Sequence, residues 1–144
     1  MLLQTALMGL IMAAIALGPH WPSSVHGPLR AVGTVLAVVG GAFAVSASRA
    51  LGPSFTPYPR PASRGHLVET GPYRVVRHPV YAGLVVQFIG FALAFSPLAL
   101  VPTALIAVAW GLKVRLEERF LRVAYPDYER YAARTRYRIV PLVY

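Results

Sequence analysis

The chain has no cysteine, and only five of its 144 residues are acidic. The first absence excludes disulfides, thiolate metal sites and cysteine nucleophiles. Charged residues of both signs reach 13%, against about 25% in a soluble domain. With hydrophobic residues at 56%, an ordinary soluble protein is excluded. The four histidines are scattered without ligand spacing, so no metal centre is expected. Glycine loops of the Rossmann or P-loop kind are missing, and no Ser-His-Asp order is suggested. The length suits a single domain, residues 1–144.

What is present is apolar and basic. The net charge of +9 would suggest nucleic acid on a soluble domain. Here the basic residues are not interleaved with exposed aromatics on a soluble frame. They read as determinants of orientation and as contacts to membrane lipids, with no nucleic-acid partner. Four apolar segments stand out: Leu2–Leu17, Leu29–Ala47, Val80–Phe95 and Leu98–Leu112. A spanning helix needs about 20 residues, and the flanks supply the missing length. Lys113 and Arg115 can snorkel at the end of the fourth segment. The opening MLLQTALMGLIMAAIALG lacks the basic start of a signal peptide and reads as a first membrane helix.

The links order these segments. In Gly18–Pro28, Pro and Gly are expected to stop one helix and precede the next. Ser96-Pro97 is short enough to make segments three and four an antiparallel hairpin. The link from Arg49 to His78 is basic, and its portion LGPSFTPYPRPASRG is expected to lie irregularly across the surface. Beyond Leu112 the sequence reads as a helix, a break at Pro126, a second helix favoured by Asp127 near its start, and RYRIVPLVY returning along the surface. Of 14 basic side chains only Arg30 falls on the outer side. The positive-inside rule then places both termini in the cytoplasm. Small residues in AVGTVLAVVGGAFAVSAS suit close helix packing in lipid. The expected fold is all-α: an integral membrane bundle of about four transmembrane helices with cytoplasmic C-terminal helices. Residues 1–48 form two N-terminal spans, and residues 49–144 form a core with the hairpin and the C-terminal helices.

Two polar clusters bracket the hairpin: GPYRVVRHPVYAG (Gly71–Gly83) and RLEERFL (Arg115–Leu121). Ionisable groups at a membrane border are costly and usually functional. Trp110, Lys113, Val114, Glu117 and Leu121 share one helical face. Glu117 and Glu118 point about 100° apart, so Glu117 can pair with Lys113, and Glu118 with Arg115 or Arg122. At least one carboxylate is expected to meet a cationic ligand. His78 precedes Pro79, a residue favoured at the first helical position. The free N–H groups there suit an anionic ligand group, with Arg77 adding charge. Arg74 reads as a lipid-phosphate contact. The faces of Tyr73 and Tyr81 attract sulfonium or ammonium. A zwitterionic, cationic cofactor fits this set better than a phosphate ester.

These stretches resemble the isoprenylcysteine carboxyl methyltransferase and phospholipid methyltransferase superfamily of integral membrane enzymes. The resemblance runs from about Leu51 to Pro141 through GHLVETGPYRVVRHPVYAG, RLEERFL and YPDYERYAARTRYRIVP. RHPxYxG, a hairpin, EExxL and a Y-x-x-Y tail in that order are specific; RHP alone is not. The resemblance implies S-adenosyl-L-methionine bound without a Rossmann domain. It implies that Gly65, His66, Leu67, Val68 and Tyr73 line the cofactor, that His78, Pro79, Val80 and Tyr81 continue the pocket, and that Glu117 contacts the cofactor; Glu118, the second glutamate, is grouped with the cofactor site. A basic residue one turn earlier meets the methyl acceptor in the prenylcysteine enzymes. That is Lys113 here, where those enzymes carry arginine, with Arg115 as the other candidate. The implied reaction is methyl transfer to a lipophilic or lipid-linked acceptor entering from the bilayer, with the cofactor entering from the cytoplasm.

Two other readings compete. A membrane reductase of the sterol type has a similar C-terminal half and uses NADPH, but the small size and EERFL favour methyl transfer. A non-enzymatic basic scaffold explains the charge asymmetry but not His78, Tyr73 and the glutamate pair at matched depths.

Overall fold

The computed structural model describes residues 2–58, 60 and 65–139. Among them there are helices and turns and no strand. Helices α1 (Leu2–Leu17), α2 (Ser23–Leu51), α3 (Pro79–Phe95), α4 (Leu100–Ala124) and α5 (Tyr128–Arg134) follow in order. The expected all-α membrane bundle is the observed fold. Its apolar pattern is inverted relative to a soluble protein. Val32, Val35, Val38 and Val39 on α2, and Val101, Leu105 and Val108 on α4, are exposed, whereas many buried positions are alanines. Large apolar side chains facing outward over small ones facing inward suit a lipid surround.

Two helices differ from the sequence reading. α2 begins at Ser23 and carries Pro28 inside it. Pro28 costs one backbone bond, whose acceptor would be the Ser24 carbonyl in the exposed first turn, where the group is not stranded. The fourth span and the first tail helix are one continuous α4 of 25 residues, about 37 Å long. Both therefore share one set of faces. The break at Pro126 and the second tail helix fall as expected.

The chain divides into two compact units. The first comprises residues 1–42 and 83–109. Leu7, Ile11 and Ala14 form the buried stripe of α1, and Ala14 joins Ala92 and Ala99 in an apolar cluster. α2 and α3 approach through glycine. A Cβ on Gly33 would lie 2.5 Å from the Ala94 nitrogen, and one on Gly90 2.4 Å from the Ala37 nitrogen. The small-residue reading of α2 is thus realised as direct backbone contact. The Trp21 indole N–H donates to the Ala92 carbonyl at 3.0 Å, fixing the α1–α2 link against α3.

The second unit comprises residues 43–82 and 110–144. Its core joins Ala47, Val68, Tyr73, Tyr128 and Tyr131, with Leu51, Leu67, Val80 and Leu121 packed against them. α2 ends at Leu51, where Gly52 adopts φ +48°, a left-handed conformation that glycine reaches without a Cβ penalty. Gly71, at φ +58°, starts the short 3₁₀ turn Gly71–Arg74 that leads into α3. The start of α3 lies beside the C-terminal half of α4, as the hairpin expectation requires: Tyr81 reaches Glu117 at 2.7 Å. Part of the proline-rich link, and residues 140–144 of RYRIVPLVY, lie outside the described residues. Residues 137 and 138 are half-buried rather than on the surface, because their carbonyls accept the backbone N–H groups of Arg77 and His78, each at 2.8 Å.

Candidate functional site

All the chemistry-bearing side chains gather in the second unit. Pro79 supplies no N–H and opens α3, leaving His78 as the last residue before the helix, where its carbonyl accepts from Ala82 at 3.1 Å. The N–H of His78 is taken by the Arg138 carbonyl, so the ring rather than the backbone of His78 is the group on offer. That ring stands between the two glutamates of α4. Nδ1 is 3.5 Å from Glu117 Oε2 and Nε2 is 3.6 Å from Glu118 Oε1.

The two carboxylates have different surroundings. Glu118 is 1% exposed. Arg77 Nε donates to it at 2.7 Å and Arg138 Nε at 3.1 Å, and Arg122 approaches at 3.9 Å. Arg77 Nη1 also donates to the carbonyls of Thr135 and Arg136, at 2.7 and 2.8 Å. A buried carboxylate requires such compensation, and it ties α4, the start of α3 and the C-terminal segment together. Glu117 is more open. It accepts from the Tyr81 hydroxyl at 2.7 Å and has Lys113 Nζ at 3.6 Å. Lys113 also donates to the Pro57 carbonyl at 3.0 Å and lies 5.4 Å from the Tyr81 ring centroid. Trp110 tilts against the Tyr81 ring, with centroids 5.2 Å apart. His78, Tyr81, Trp110, Lys113 and Glu117 thus form one cluster of aromatic faces and paired charges.

Tyrosines back this cluster. The Tyr131 hydroxyl donates to the Tyr73 carbonyl at 2.8 Å, fixing the turn before Arg77. Burial pushes the hydroxyls of Tyr73, Tyr128 and Tyr131 above the usual phenol range, and nearby charges add smaller effects. Those hydroxyls remain protonated.

Of the residues singled out from sequence, His78, Tyr81, Lys113 and Glu117 meet directly. Glu118 lies behind them, occupied by arginines. Pro79 is buried, while Val80, Leu67 and Val68 belong to the tyrosine core. Gly65 is half-buried. His66 is exposed and held by Ser54, whose Oγ accepts from its N–H at 2.9 Å and donates to its carbonyl at 3.1 Å. Arg115 is exposed and is not brought to Glu117. Glu118 approaches Arg122 rather than Arg115. Arg77 is turned to Glu118 and two carbonyls, which take its Nε and Nη1 donors, rather than to the open side of the site. Asp127 precedes α5 without a side-chain cap bond and pairs instead with Arg130 at 3.0 Å.

Sequence reasoning missed Arg138, whose partner lies 20 residues away across the Pro126 break. It placed Trp110 on the right face of α4 without giving it a part in the site. Its spacing of seven from Glu117 was the available signal.

A fold of apolar helices carrying this cluster defines a membrane protein with a built polar site. The sequence profile of the phospholipid methyltransferase family matches residues 29–128, and the chain belongs to that family. It is also 38% identical over 73 residues to the cobalt-zinc-cadmium resistance protein CzcN of Cupriavidus metallidurans. That match covers 48% of this chain and 33% of CzcN, so the chain matches about a third of the length of this curated relative.

Proposed function

We propose that this protein transfers a methyl group from S-adenosyl-L-methionine to a lipophilic or membrane-associated acceptor. The observation that carries the reading is the placement of Tyr81 and His78 around Glu117, at 2.7 and 3.5 Å, beside Trp110 and Lys113. The donor set fits a zwitterionic cation. Glu117 keeps a carboxylate at a partly open position, and Tyr81 and Trp110 present aromatic faces to positive charge.

When bound, the cofactor would supply an electrophilic methyl group for an in-line displacement, with a neutral thioether as the leaving group. Such a displacement demands alignment and exclusion of water more than strong acid or base. Glu117 and His78 hold the polar end of the cofactor. Tyr81 and Trp110 wall the sulfonium. Gly65–Val68 and Tyr73 belong to the same lining through the tyrosine core and the Ser54–His66 clasp. Glu118 acts behind the site by holding Arg77 and thereby His78. Lys113 is the better placed of the two basic candidates to orient the acceptor, since it shares Glu117 and the Tyr81 face.

Thermal shift of the purified protein separates this reading from a reductase. S-adenosylhomocysteine is expected to raise the unfolding temperature and NADPH to leave it unchanged. Stabilisation by NADPH alone would overturn the assignment.

A further inference from the structure

The geometry points to a second binding surface, on the face of α4 opposite the site, that takes the headgroups of anionic phospholipid. At about 100° per residue, Trp110, Val114, Glu117, Glu118 and Leu121 cover one side of α4, the buried or half-buried side. Leu112, Arg115, Leu116, Arg119 and Val123 fall within a narrow stripe on the other side, and all five are exposed. Neither water nor hydrocarbon alone suits that stripe. Leu112, Leu116 and Val123 are 61%, 44% and 88% exposed, an apolar face that no other described residue covers. Arg115 and Arg119, one turn apart, are interleaved with them and make no ion pair with any of the acidic residues. Glu117 is engaged by Lys113 and Tyr81, Glu118 by Arg77 and Arg138, Glu129 by Arg122, Asp127 by Arg130 and Glu69 by Arg134.

Charge complementarity therefore selects the occupant. The acidic side chains are committed elsewhere, and two guanidiniums beside leucines need an anion that arrives with hydrocarbon attached. A lipid phosphate bearing net negative charge meets both requirements, with its acyl chain along Leu112 and Leu116 and its headgroup between Arg115 and Arg119. A zwitterionic headgroup meets the apolar requirement but offsets the charge. The same face of α4 carries Val101, Leu105 and Val108 further back. The arginines thus appear about 20 Å along the helix from Val101, where a hydrocarbon layer gives way to headgroups.

The test is native mass spectrometry of the purified full chain in detergent, supplied with equal phosphatidylglycerol and phosphatidylcholine. The parent is expected to retain phosphatidylglycerol in preference. The Arg115→Gln/Arg119→Gln double variant is expected to lose about tenfold or more of that retention while keeping its phosphatidylcholine. Arg49 and Arg136 are also exposed, and the Arg49→Gln/Arg136→Gln variant carries the same charge change outside α4. It is expected to retain phosphatidylglycerol like the parent. Equal losses in the two double variants would assign the effect to net charge and overturn the proposal. So would retention of both lipids in proportion to their supply. A dimer mass abolished by the α4 variant would give the face to a second copy of the chain instead.

Discussion

Glu117 and Glu118 are neighbours in sequence with opposite duties. Glu118, sealed from solvent and gripped by Arg77 and Arg138, is structural. Replacing it with glutamine leaves the buried Arg77 and the half-buried Arg138 guanidinium undercompensated. Glu118→Gln is expected to destabilise the protein by about 3 kcal/mol or more, read as a fall in the thermal midpoint. Glu117→Gln should leave that midpoint nearly unchanged. The buried tyrosines give a pH signature. The folded protein keeps protons on Tyr73, Tyr128 and Tyr131 that the unfolded chain releases above about pH 10. Their contribution to stability is complete below that value and is lost as pH rises beyond it. Thermal midpoints should fall as pH rises above about 10, and a flat profile there would contradict the burial of these hydroxyls. His78 and Glu117 were readable from sequence because each lies in a local pattern, a Pro-marked helix start and a helical face. Arg77 and Arg138 were not. Their roles depend on carbonyls 58 to 60 residues from Arg77 along the chain, and no local periodicity encodes that return.

At the level of elements, α2 and α3 depend on backbone contact. Adding a methyl at Gly90 puts it 2.4 Å from a backbone nitrogen of α2. Gly90→Ala should therefore cost about 1–3 kcal/mol. Gly9, inside α1, has nothing within 4 Å of its added Cβ. Gly9→Ala should raise the midpoint slightly, by the helix propensity gained. Equal effects of the two substitutions would contradict the α2–α3 contact. The four apolar helices were legible because apolar runs are local and long. Their ends were less so: α2 absorbs Pro28, and α4 continues past Leu112 without interruption. Hydropathy marks where a helix suits lipid, whereas the helix itself ends where backbone partners run out, at Leu51–Gly52 and at the Pro126 break. That continuity also turns Arg115 away from Glu117, since a single helix fixes its angle to the site face.

Across the whole molecule, charge is segregated. Among Asp, Glu, Lys and Arg side chains, the first unit contains Arg30 and the second contains all the others. We propose on this basis that the second unit and both termini face the cytoplasm. The absence of cysteine makes that orientation simple to test. A membrane-impermeant maleimide applied to intact cells should label a Ser24→Cys variant and should label an Ala133→Cys variant only after lysis. The reverse pattern would invert the topology. The central claim is that Glu117 and His78 hold the cofactor, and calorimetric titration with S-adenosylhomocysteine tests it most directly. The account predicts that the parent binds, and that Glu117→Gln and His78→Ala each bind about tenfold more weakly or worse. Variants that bind as tightly as the parent would contradict it.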